Sequence, residues 1–116
     1  MKLMLTVATL AVLAAAGPVY ADCTAPDDNV TIPDGSTATR DQMIAAQKAV
    51  RALDTAVKQY SDCLSQEQAA KVAAGGDKAA LNKQYATLQN AQVDKLQQAA
   101  DKFNVELKAY KAKNAG

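Results

Sequence analysis

The sequence has no histidine, no tryptophan, one phenylalanine and two cysteines in 116 residues. Histidine is the usual general base near neutral pH and a common zinc and haem ligand, so its absence excludes most catalytic and metal-binding arrangements. An excess of charge of one sign is also lacking, because 13 Lys and Arg residues oppose 12 Asp and Glu residues. This balance argues against surfaces that bind nucleic acid or anionic membranes, since these need a net positive field. We therefore predict a chain that is not an enzyme and binds no cofactor and no nucleic acid.

The first 21 residues have the features of a secretory signal peptide. Lys2 gives a positive start, residues 3–16 form an unbroken apolar run, and Ala21 is a small residue directly before Asp22. We predict cleavage between Ala21 and Asp22, a periplasmic or secreted location, and no membrane contact after cleavage. A retained membrane anchor is the alternative, but it needs about 20 apolar residues. Cleavage removes Lys2 and leaves 95 residues with 12 basic and 12 acidic groups.

Export places Cys23 and Cys63 in an oxidising compartment, where two thiols of a small domain usually pair. We predict one intramolecular disulfide between them. The alternatives are an intermolecular bridge and a redox-active dithiol. A separation of 40 residues is unlike the C-x-x-C redox motif, and no cationic residue adjoins Cys63 to favour its thiolate.

A change in composition divides the mature chain into an extended segment and a helical region. Residues 22–38, which we call the strap, hold two prolines, one glycine and four aspartates. This composition is typical of extended or looped chain. From Thr39 onward there is no proline, and Thr39 with Gln42 has the sequence of a capping box at a helix start.

A glycine pair divides the helical region into two helices. Gly75 and Gly76 end the first helix, and Asp77 is placed to cap the second. The predicted fold is all-α: an antiparallel two-helix hairpin with long helices at about 39–74 and 77–113, a turn at 75–76, and an extended N-terminal strap clamped by one disulfide.

Apolar residues recur at steps of three and four in both predicted helices, which indicates a coiled-coil-like seam. A turn at the glycine pair places each residue i of the first helix opposite about residue 151 − i of the second. Leu64 is therefore expected beside Leu88, and Tyr60 beside Gln92. Gln92 is the one polar residue of the seam. Either the Tyr60 hydroxyl bonds its amide, or Gln92 is solvated at the seam edge. The seam residues are Met43, Ala46, Val50, Leu53, Val57, Tyr60 and Leu64, then Leu81, Tyr85, Leu88, Gln92, Leu96, Ala99, Phe103, Leu107 and Tyr110.

The predicted disulfide determines the direction of the strap. Cys63 lies 24 residues after Thr39, which is about 36 Å along a helix. The 16 residues from Cys23 to Thr39 can span at most about 53 Å, so the strap must run nearly extended and antiparallel to the first helix.

Small residues on the first helix offer the strap a place to lie. Ala49, Ala56 and Cys63 repeat every seven residues beside the seam and form a shallow alanine track. We expect Val30 and Ile32 of the strap to rest on this track, as a third layer of the fold.

The acidic residues of the strap do not form a calcium-binding sequence. Asp27, Asp28 and Asp34 suggest a calcium loop, but Ile32 stands where the loop needs glycine and Ala38 where it needs glutamate. No serine has a histidine partner for nucleophilic catalysis. We predict no metal ligands, no catalytic residues and no cofactor-binding or small-molecule site.

Several of these residues form a pattern that resembles a group of small exported proteobacterial proteins of unknown function. The resemblance covers about residues 22–67 and implies a periplasmic or secreted helical hairpin, without implying an activity. It rests on Cys23-x-x-Pro26, Ile32-Pro33-Asp34-Gly35, Ala38-Thr39, Met43, Val50, Tyr60 and Cys63-Leu64.

Helices of about 35 residues are near 52 Å long, and one hairpin cannot bury both apolar sides of each. The sequence therefore predicts a structural or protein-interaction module of the cell envelope, with another protein or a second copy as partner. The alternative is a periplasmic chaperone-like module that binds unfolded or envelope clients.

Overall fold

The computed structural model describes residues 23–115. It consists of two long helices, α1 (Arg40–Ala73) and α2 (Lys78–Asn114), which pack as an antiparallel hairpin. The predicted all-α hairpin is confirmed, and each helix end differs from its predicted position by one residue. The predicted signal peptide and its cleavage site at Ala21 and Asp22 lie outside the described residues.

Side chains close the N-termini of both helices as their sequences predict. Thr39 Oγ1 accepts a hydrogen bond from the Gln42 amide at 3.2 Å, and Gln42 Oε1 accepts one from the Thr39 amide at 2.9 Å. These two bonds form a capping box, which satisfies backbone donors that have no partner in the first turn. Asp77 Oδ1 accepts from the amides of Ala79 and Ala80 at the start of α2.

The turn between the helices is a Schellman motif built on glycine. Gly75 has φ 96°, a left-handed conformation that residues with a Cβ rarely adopt. Its amide donates to the Val72 carbonyl at 3.0 Å, and the Gly76 amide donates to the Lys71 carbonyl at 2.9 Å. These bonds satisfy carbonyls at the end of α1 and reverse the chain.

Burial is unequal between the two helices. Six residues of α1 are buried along the predicted seam, whereas α2 buries only two. Most other seam positions of α2 are half-buried, because a single neighbouring helix covers too little of a 37-residue stripe. The buried residues are Met43, Ala46, Leu53, Val57, Tyr60 and Leu64 in α1, and Tyr85 and Gln92 in α2.

The core layer near the turn differs from its prediction. Leu64 packs with Tyr60 and Tyr85, and Cys23 and Leu81 pack against this cluster. Leu88, which was expected beside Leu64, is 39% exposed and does not belong to this cluster.

Gln92 is buried, and its side chain is neither solvated nor bonded to the Tyr60 hydroxyl, the two alternatives that the sequence left open. Its side chain is 6% exposed, so it is not solvated at the seam edge. Its Oε1 atom has no hydrogen-bond partner in the part of the chain that the structure describes, so the Tyr60 hydroxyl does not satisfy it. A buried acceptor without a partner costs about 1–3 kcal/mol, which makes Gln92 a weak point of the core.

Candidate functional site: the strap and the trough beside it

The first attachment of the strap is the predicted disulfide, which is confirmed. Cys23 and Cys63 are joined with their Cα atoms 5.8 Å apart. The bond fixes the start of the strap beside the second half of α1, and the described residues contain no free cysteine. A disulfide is consistent with an oxidising compartment outside the cytoplasm.

The second attachment of the strap is a turn that lies on α2. The Gly35 amide donates to Glu106 Oε2 at 2.6 Å. A Cβ at Gly35 would lie 1.8 Å from the Glu106 carbonyl oxygen and 2.9 Å from the Tyr110 amide nitrogen. Only glycine allows this close approach of two backbones. The sequence predicted a turn here but gave no sign that the turn lies on the second helix.

Asp34 organises the same turn through local hydrogen bonds. Its Oδ1 atom accepts from the Ser36 hydroxyl at 2.6 Å and from the Ser36 amide at 2.9 Å, and its carbonyl accepts from the Ala38 amide. The hydroxyl and then the amide of Ser36 lower the pKa of the Asp34 carboxyl, because they stabilise its charged form. The aspartate therefore has a structural role in the turn.

Between its two attachments, the strap lies in the groove between the helices and lines cavities on both sides. Asp28, Val30 and Ile32 line a cavity on the α2 side, where Asp28 Oδ2 is 3.3 Å from Lys95 Nζ. Asn29 and Thr31 line a cavity on the α1 side, and Val30 lines both cavities. Apart from Val30, these residues alternate between the two sides, as the side chains of an extended chain do.

The contact of the strap with α2 corrects the prediction that Val30 and Ile32 both rest on the alanine track of α1. Val30 lines the cavity above that track, but Ile32 lies on the α2 side. The strap is thus displaced towards α2, and the alanines are left open.

The cavity on the α1 side, which we call the trough, has a volume of about 760 Å³. Its floor is made of the α1 alanines at positions 45, 49, 52 and 56, and its wall is the strap from Pro26 to Pro33. Among residues 23–115, Asp27 is the only charged residue that lines it. Ala49 and Ala56 belong to the predicted alanine track, whereas Ala45 and Ala52 were not predicted, although steps of four, three and four residues place all four on one face of a helix.

Four large apolar side chains are exposed elsewhere on the two helices. Leu88 is 39% exposed, Val93 43% and Val105 63%, all on α2, and Ile44 on α1 is 37% exposed. Leu88 also lines a cavity with Lys83 and Thr87. Among these residues only Leu88 belongs to the predicted seam.

Within residues 23–115, no three His, Cys, Asp or Glu side chains come together in a way that could hold a metal ion. Over the same residues, neither helix has an apolar stretch long enough to cross a membrane. The trough and the exposed apolar side chains offer apolar area, hydrogen-bonding groups and charge, which are the means of binding another molecule.

No protein-family model matches the chain, and comparisons with curated proteins and with solved structures gave no significant match.

Proposed function

We propose that the protein is an exported structural or protein-interaction module of the cell envelope, without catalytic activity of its own. The observation that carries this proposal is the unequal burial of the helices. α2 has 37 residues but only two buried side chains, and its apolar residues Leu88 and Val93 remain exposed. An amphipathic helix is stabilised by covering its apolar stripe. A partner helix, from another protein or from a second copy, would supply that cover.

We also propose a periplasmic or secreted location. The disulfide between Cys23 and Cys63 supports it, since such bonds persist in oxidising compartments. The apolar run of residues 3–16 supports it through its likeness to a signal peptide. So does the resemblance of residues 22–67 to small exported proteins.

The proposal is tested by photo-crosslinking in a bacterium that exports the protein. A photoreactive amino acid replaces Val93 in one variant and Lys58, an exposed polar position of α1, in a matched control. We expect adducts of defined mass from position 93 and none from position 58. Absence of adducts at position 93, together with a monomer by light scattering at high concentration, would contradict the proposal.

The chaperone-like alternative has one observation in its favour, which is the open trough beside the strap. A chaperone would suppress the aggregation of an unfolding client at a near-stoichiometric ratio. If the protein does not suppress client aggregation but crosslinks form at position 93, the result supports the interaction module and contradicts the chaperone-like alternative.

A further inference from the structure

We propose that Asn29 is an acceptor for N-linked glycosylation in the compartment to which the protein is exported. Asn29-Val30-Thr31 is an N-x-Thr sequon with no proline at its middle position, the pattern that an oligosaccharyltransferase accepts. The inference goes beyond the proposed function, because it names a covalent modification and needs no partner protein in a complex. It shares with that proposal only the export of the chain.

The secondary structure separates this asparagine from the others of the chain. The sequence contains five asparagines, and only Asn29 is followed two residues later by a serine or threonine. The other four, at positions 82, 90, 104 and 114, lie in α2. In a helix, residues i and i+2 are turned away from each other by about 200°, so a hydroxyl there cannot face the carboxamide. The one sequon therefore lies in the extended part of the chain, where its two side chains can act together.

The strap presents the two sequon side chains on the same side. Alternate residues of an extended chain point in the same direction, and Asn29 and Thr31 both line the trough. Both residues are exposed, and within residues 23–115 neither side chain makes a hydrogen bond. The carboxamide of Asn29 and the hydroxyl of Thr31 are therefore open to a transferase that binds them together.

The backbone of the sequon is held only by local hydrogen bonds. The Asn29 amide donates to Asp27 Oδ1 at 3.0 Å, and the Val30 amide donates to the Asp28 carbonyl at 2.9 Å. Within residues 23–115, no backbone hydrogen bond joins the sequon to either helix. The ion pair of Asp28 with Lys95 beside it is exposed to water and opposes little to a movement of the strap. The sequon can thus enter a transferase while the hairpin stays folded.

The group transfer requires a sugar donor and an enzyme, which the exporting cell supplies. Nδ2 of Asn29 attacks the anomeric carbon of an oligosaccharide that is carried on a lipid diphosphate. A C–N bond forms as the C–O bond to the diphosphate breaks, and the lipid diphosphate leaves with the electron pair. One Nδ2 proton passes to a carboxylate of the transferase. The attached oligosaccharide would extend from the strap into solvent, where such a bulky polar group belongs.

The test uses the full chain recovered from the envelope of the cells that naturally make it. Removal of residues 1–21 and trypsin cleavage after Arg40 give one peptide of residues 22–40, because no Lys or Arg lies between these ends. After reduction of the disulfide, mass spectrometry with fragmentation identifies any added sugar and the residue that carries it. We expect an oligosaccharide on Asn29.

Three variants made in the same cells test the sequon and its extended conformation. Thr31→Val keeps the shape of the side chain but removes the hydroxyl, and it should abolish the modification. Thr31→Ser retains the hydroxyl and should retain the modification. Gln84→Thr is the matched control, because it places a threonine two residues after Asn82, at an exposed position of α2. Asn82 should stay unmodified in this variant. Circular dichroism checks that each variant keeps its helical signal.

Four results would overturn the inference. They are an unmodified peptide 22–40 from wild-type chains that have lost residues 1–21, a sugar on a serine or threonine hydroxyl instead of Asn29, modification that persists in Thr31→Val, and equal modification of Asn82 in Gln84→Thr. Unmodified chains that retain residues 1–21 would overturn the proposed location as well, and the intact mass distinguishes this result from the first. Crosslinks at position 93 test the interaction module separately, because Val93 lies on α2 outside the sequon.

Discussion

Replacing Gly35 by alanine should loosen the strap from α2. The backbone of Gly35 is not left-handed, so alanine meets no conformational penalty there. The obstacle is contact, because the added Cβ would lie 1.8 Å from the Glu106 carbonyl oxygen, whereas ordinary contact begins near 3.4 Å. The turn must therefore withdraw from α2 by about 1.6 Å.

The withdrawal gives the magnitude of the effect. It lengthens the hydrogen bond from the Gly35 amide to Glu106 Oε2, now 2.6 Å, to about 4 Å, which breaks it. A hydrogen bond to a charged group contributes about 1.5–3 kcal/mol. Alanine also stabilises the fold by about 0.4–1 kcal/mol, because it restricts the conformations of the unfolded chain. The free energy of unfolding should fall by about 0.5–2.5 kcal/mol, the difference of these two effects.

Urea unfolding followed by circular dichroism at the helix band measures this change. Glu106→Gln provides the control, because it keeps the size of the side chain and weakens the same hydrogen bond. In that background Gly35→Ala should cost less by about 1 kcal/mol, since the two changes remove one shared contact. A loss below about 0.5 kcal/mol in Gly35→Ala, or the same loss in both backgrounds, would refute the reasoning.

Replacing both Cys23 and Cys63 by serine should lower the free energy of unfolding by about 4 kcal/mol in the chain-entropy model. The helical circular dichroism signal should remain. An unchanged Tm would contradict this prediction. Gln92→Leu should raise the free energy of unfolding by about 1–2 kcal/mol in urea denaturation, since it removes an unpaired buried acceptor, and a decrease would show that Oε1 is bonded to buried water. Ser36→Ala should raise the pKa of Asp34 towards 3.8 in a carboxyl NMR titration. Because the pKa of Asp34 is lower in the folded state, its carboxylate stabilises the fold above the unfolded pKa. This stabilisation is lost as pH falls through the folded pKa, and the loss should be smaller in Ser36→Ala.

Local signals in the sequence predict most of the hairpin. The capping sequence of Thr39 and Gln42 and the glycine pair at 75–76 mark helix ends, because caps depend on residues within one turn. The disulfide is predicted because only two cysteines exist and export makes pairing favourable. These features need no knowledge of distant contacts.

Long-range placement is what the sequence could not provide. Nothing near Gly35 reveals that it approaches Glu106, 71 residues away. The displacement of the strap towards α2 depends on that contact and on the ion pair between Asp28 and Lys95, neither of which has a sequence pattern. The open trough follows from this displacement, so the candidate site was only partly foreseen, as an alanine track without its wall.

The bond between Cys23 and Cys63 also decides how the chain responds to stretching. A pull on the start of the strap passes through the sulfur atoms directly to Cys63, the 24th residue of α1. The segment between the cysteines, with a sequence separation of 40, forms a closed loop that carries no tension and keeps about 140 Å of contour length out of reach. If the ends of the chain are held by two partners, only the end of α1, the glycine turn and α2 extend under force. The oxidised protein is therefore a short tether, and reduction would convert it into a long one.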